Sequence, residues 1–148
     1  MTGAWPMIGG LLALFLGGAA VGDWLARTLA PGSWLAESVG FFALPVAFAL
    51  SLQAWYGLAL FGLIARAVSG RASAGSTRAA RQPPLAGAIV FLPFSSLIGV
   101  MAGVVVGLLS PTQPMWLVLL IYWAVGTVHG LAGWRLARAG VLMPPETL

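Results

Sequence analysis

The chain has no cysteine, no lysine and a single histidine, and only three of its 148 residues are acidic. Without cysteine there are no disulfides, no iron–sulfur ligation and no thiol chemistry. A helix-bundle metal site needs several ligands, and His129 has neither a second histidine nor a nearby carboxylate to join it. A bis-histidine haem within one chain is excluded on the same ground. Neither the G-x-S-x-G nucleophile elbow nor a phosphate-binding P-loop occurs. No enzymatic activity and no metal site are therefore predicted. Charge of either sign is also scarce, at 7% of residues, where soluble domains carry about 25%. That is too little polar material to cover a water-facing surface.

What is there instead is hydrophobic: 60% of residues, with 20 glycines and a mean hydropathy of +0.99. The natural solvent is a bilayer, and the length suits one small membrane domain. Four segments, about 7–25, 41–64, 85–109 and 115–134, are long enough to cross roughly 30 Å of hydrocarbon as helices. They are too long and too continuous for the alternating strands of a membrane barrel. The predicted fold is thus all-α and integral to the membrane. The short connections APGSW and SPTQP join the helices as two antiparallel hairpins.

The arginines set the expected orientation. Arg66, Arg71, Arg78 and Arg81 crowd the polar linker at about 66–84, and Arg135 and Arg138 follow the fourth segment. At the other end Arg27 stands alone, with Asp23 one helical turn before it and Glu37 nearby. Basic loops remain cytoplasmic, so both termini are predicted inside. An all-arginine basic set fits a GC-rich bacterial genome, and the expected location is a bacterial inner membrane, multi-pass. Arginines placed beside apolar segments have a topological use, so no nucleic-acid partner is expected. Trp5 and Trp134 fall at the inner boundary, and Trp24, Trp34 and Trp116 at the outer one, as interfacial rings prefer. Trp55 and Trp123 fall deeper and call for packing partners. The first segment resembles a leader, but its MTGAWP start has no basic residue and its apolar run is long, so it is read as a retained helix. PMIG at Pro6 pairs with PLAG at Pro84, and YGLA at Tyr56 with HGLA at His129, a faint echo between the two hairpins.

Small residues recur at helical spacing. Gly18 and Gly22 form a G-x-x-x-G; Ser95, Gly99, Gly103 and Gly107 fall every fourth residue; Gly126, Gly130 and Gly133 share a face of the fourth segment. Helices in lipid gain little from hydrophobicity against one another, and glycine faces let their backbones approach. The first and third segments carry these faces at similar depth, so they are predicted to pack together. Pro45 and Pro93 lie inside the second and third segments, where proline removes a backbone hydrogen bond and favours a kink.

Polar side chains also fall deep in the segments: Gln53, Ser95, Ser96 and Thr127, with Tyr56 and His129 slightly nearer the cytoplasm. Polar groups in hydrocarbon must find partners, so these six are predicted to face one another. Tyr122, Gly126, His129, Gly130 and Gly133 share one helical face, which turns the imidazole towards protein. A neutral imidazole bonded to Tyr56, Gln53 or a backbone carbonyl is the favoured reading. No cofactor is predicted; a haem or chlorophyll-type pigment shared with a partner chain is the alternative. Two functions fit. One is a small non-catalytic subunit of a larger inner-membrane complex, packing through glycine-rich faces against other membrane subunits. The other is a small homo-oligomeric transporter, channel or flippase-like protein with a polar site at mid-membrane.

Overall fold

The computed structural model describes residues 5–69 and 84–139. It contains four helices, α1 (Trp5–Leu29), α2 (Trp34–Ser69), α3 (Pro84–Leu109) and α4 (Met115–Arg138), and the described residues include no strand. Each contains a stretch long and apolar enough to cross a membrane. The chain is thus an all-helical, multi-pass membrane protein by length and composition. Most of the linker between α2 and α3, with Arg71, Arg78 and Arg81, lies outside the described residues, as does Glu146.

Local chemistry accounts for the helix ends. The first connection turns at Gly32, whose φ of 79° is the left-handed conformation glycine accommodates most easily. Ser33 then caps α2: its hydroxyl accepts the Ala36 N–H at 3.3 Å. Pro114, with φ −67° and ψ 137°, opens α4. Ser110 ties two connections together, donating to the Leu29 carbonyl at 2.8 Å and accepting the Gln113 N–H at 3.3 Å. In the last turn of α1 Arg27 bridges Asp23 at 2.8 Å and Glu37 at 3.4 Å. Both α2 and α3 remain helical through Pro45 and Pro93.

The second helix differs from the sequence expectation at both ends. It begins at Trp34, seven residues before the expected 41, and runs through Arg66 to Ser69, beyond the expected 64. At about 1.5 Å per residue its 36 residues span roughly 54 Å. The early start shifts every depth counted along it.

Packing corrects the expected partnership of α1 with α3, which barely touch. The extensive contacts join α3 to α4, α1 to α2, and α2 to α3. Gly22 meets Gly40 on α2, where a Cβ on either residue would strike the other's carbonyl oxygen. A Cβ on Gly99 would lie 2.5 Å from the Tyr122 carbonyl oxygen and 3.2 Å from the Gly126 Cα. Gly126 lies against the Ser95 carbonyl, and Gly130 against Phe91 and Ser95. The glycine faces are therefore real contact surfaces: Gly22 meets α2, α3 and α4 spend most of theirs on each other, and Gly18 meets His129 of α4 as well as Leu44 of α2.

Two apolar clusters fill the interior. One joins Leu25, Ala26 and Leu29 of α1 to Ala102, Val106, Val118 and Tyr122. The other gathers Phe48 and Trp55 of α2 with Val90 and Phe91 of α3. Trp55 is buried and stacks obliquely on Phe91, the rings 6.2 Å apart. Trp123 is exposed instead, on the lipid side of α4.

Candidate functional site

Where α1 and α4 fail to close on one another, an apolar groove of about 440 Å³ opens on the side of the bundle. One wall is α1, through Ala13, Gly17 and Val21; the other is α4, through Ala124, Val128 and Ala132. Each trio repeats at four-residue intervals, so small side chains stack along both walls over two helical turns. Leu44 of α2 and His129 of α4 also line it.

His129 is buried and reaches from α4 to the backbone of α1. Its Nε2 lies 3.1 Å from the Leu14 carbonyl oxygen. A carbonyl can only accept, so Nε2 carries the proton and donates. Gly18 makes this approach possible, since a Cβ there would sit 2.8 Å from Nε2. The ring meets Phe48 edge-on at 6.1 Å, and Phe48 in turn meets Phe15 edge-on at 5.2 Å. Nδ1 is enclosed and has no hydrogen-bond partner among the described residues. The backbone-carbonyl expectation for the imidazole is the one realised; Tyr56 and Gln53 are not its partners.

Register explains why. Leu44 and His129 both abut Gly18, and Phe48 meets both His129 and Gly133. His129 is thus level with residues 44–48 of α2. Gln53 lies five residues beyond Phe48 and Tyr56 eight, or roughly 8 and 12 Å further along the helix. Gln53 faces outward, and Tyr56 is half-buried against the Phe48–Trp55 cluster. The expected convergence of six polar groups is therefore not formed.

Of the remaining polar groups, some bond within their own helix, one pair joins α3 to α4, and others are buried without a partner among the described residues. Thr127 donates to its own helix at the Trp123 carbonyl, 2.8 Å away, so the Ser96 hydroxyl must be the donor in the 2.9 Å Ser96–Thr127 bond. Ser51 donates to the Ala47 carbonyl at 2.8 Å. Ser95 is buried against Gly130, and its hydroxyl has no partner among the described residues, nor have the Tyr122 hydroxyl and Trp55 Nε1. Ser95 and His129 form no hydrogen bond with each other. Among the described residues no group of three His, Asp or Glu side chains converges.

Three participants escaped the sequence reading: Gly40, the Leu14 carbonyl and Phe48. Gly40 was legible, because it and Gly22 stand nine residues either side of Pro31 in the turn. The Leu14 carbonyl carried no side-chain signal, since every residue has one. The chain matches no protein-family model, no curated protein and no solved structure.

Proposed function

We propose that this chain is a small non-catalytic subunit of a larger inner-membrane complex. In this reading the helices form two antiparallel hairpins with both termini on the cytoplasmic side of a bacterial inner membrane. The direction of Gln53 carries the reading. A solute path through the bundle would use its polar side chains along a shared interior line. Ser51, Ser96 and Thr127 are instead occupied by helix contacts, and His129 donates to Leu14. Gln53 turns outward beside Gly57, one turn on and also exposed, where an added Cβ meets nothing within 4 Å. An amide next to an open glycine on a helix surface suits a second transmembrane helix, which could pack closely and accept or donate a hydrogen bond.

The test is co-purification in mild detergent from native membranes. A tagged chain should retain an unrelated membrane protein in fixed stoichiometry, and Gly57→Leu should shed it while leaving this chain folded. Retention unaffected by Gly57→Leu and Gln53→Leu would remove α2 as the docking face. Orientation is checked with cysteines introduced into the cysteine-free chain: Ser33→Cys should react with an impermeant reagent from outside, and Ser76→Cys only after permeabilisation.

A further inference from the structure

The α1–α4 groove is apolar along its length, yet the helix that forms one wall continues into charge. Val128, Ala132 and Arg135 fall at i, i+4 and i+7, on one face of α4. Arg135 therefore stands one turn past the end of the groove, about 4.5 Å beyond Ala132 along the axis. Arg138 follows one turn later, its guanidinium 5.9 Å from the Trp134 ring centre. Both arginines are exposed, and neither has an acidic partner among the described residues. Asp23 and Glu37 sit at the opposite end of the bundle, bound to Arg27. An apolar slot on the flank thus leads to unpaired positive charge at one end and to none at the other.

We infer that the groove binds one anionic phospholipid, an acyl chain lying between α1 and α4 and its phosphate over Arg135 and Arg138. The walls of Ala13, Gly17, Val128 and Ala132 leave a smooth channel, which a flexible chain fills with dispersion contacts along both helices. The two guanidiniums supply the charge complement, and basic pockets between helices on the cytoplasmic side bind anionic headgroups in this way. Arg135 presents its fork of donors to the phosphate oxygens. The inference does not depend on a partner protein, because the slot and the arginines belong to this chain alone.

The experiment compares dioleoyl phosphatidylglycerol with dioleoyl phosphatidylcholine, titrated into the purified full chain in detergent and read by native mass spectrometry. Each surface arginine contributes about fivefold, from roughly 1 kcal/mol per charge, so phosphatidylglycerol should bind ten- to thirtyfold more tightly. Arg135→Gln should lower its affinity about fivefold, whereas Arg27→Gln should not change it. Gly17→Leu fills the slot without touching charge, and an added Cβ at Gly17 meets nothing within 4 Å. It should lower the affinity for both lipids, as should Ala132→Leu from the other wall. Equal binding of the two lipids overturns the inference. So does unchanged binding in both slot-filling variants, which would leave only surface charge. Full competition by soluble glycerol phosphate also overturns it, by reducing the site to one for a free anion.

Discussion

Replacing Gly99 with alanine adds one methyl group at a backbone-to-backbone contact of the α3–α4 seam. That methyl would lie 2.5 Å from the Tyr122 carbonyl oxygen, where ordinary contact begins at 3.4 Å, so the helices must part by about 0.9 Å. The obstacle is backbone on the facing helix, so no rotamer change relieves it. A gap of 0.5–1 Å forfeits roughly a quarter to a half of each affected dispersion contact. The loss runs along the seam through Gly103, Gly126 and Gly130, because rigid helices separate together. Overpacking of this kind costs about 1–3 kcal/mol, and in lipid no hydrophobic gain between helices offsets it. Gly17→Ala is the matched control: its methyl enters open space, and alanine favours the helix over glycine by up to about 1 kcal/mol. That propensity gain is common to both substitutions, so the two variants should differ by the overpacking alone, roughly 1–3 kcal/mol. Reversible unfolding in mixed micelles, driven by dodecyl sulfate and followed through the seven tryptophans, measures both. Equal stabilities within about 0.5 kcal/mol would refute the claim that α3 and α4 meet backbone to backbone.

Other consequences are checked in the same assay. Ser110→Ala removes the donor to the Leu29 carbonyl and should cost about 1 kcal/mol. A double-mutant cycle of Ser96→Ala with Thr127→Val should return a coupling near 0.6 kcal/mol and below about 1.7 kcal/mol, the range for hydrogen bonds between membrane helices; no coupling would mean the pair is not formed. Gln53→Leu should leave stability unchanged within about 0.5 kcal/mol, because the side chain faces outward. Gly107→Cys with Val118→Cys should oxidise readily, since a Cβ at 107 lies 3.6 Å from that of Val118, within the span a disulfide needs; a failure to cross-link on mild oxidation would contradict the α3–α4 register.

Much of this architecture was legible because lipid imposes a narrow set of solutions on a sequence. Apolar runs of the right length had to be helices, and glycines spaced by four had to mark close approach. Which face meets which was harder. The α1 and α3 faces matched in depth and composition, yet turn geometry decided the outcome. Residues equidistant from a tight turn come together, so Gly22 finds Gly40 across Pro31, and Gly99 finds Tyr122 and Gly126 across the turn near Pro111. That rule was available from numbering alone. The polar residues were misplaced for a related reason. Depth on α2 was counted from the ends of 41–64, while the Ser33 cap starts the helix at Trp34 and the stretch apolar enough to span is Trp34–Leu58, its middle six to seven residues earlier. An offset of that size moves a side chain about 10 Å, enough to carry Gln53 and Tyr56 away from His129. The partner His129 does find, a main-chain carbonyl on α1, depends on tertiary placement that no side-chain pattern encodes.

The subunit reading is tested most directly by the composition of the assembly drawn from native membranes. Native mass spectrometry of the tagged chain in mild detergent should give one mass containing this 15.3 kDa chain and at least one unrelated membrane subunit in fixed ratio, and the purified chain alone should move no solute in liposomes. A homo-oligomer without other subunits that conducts or transports solute on its own would contradict it.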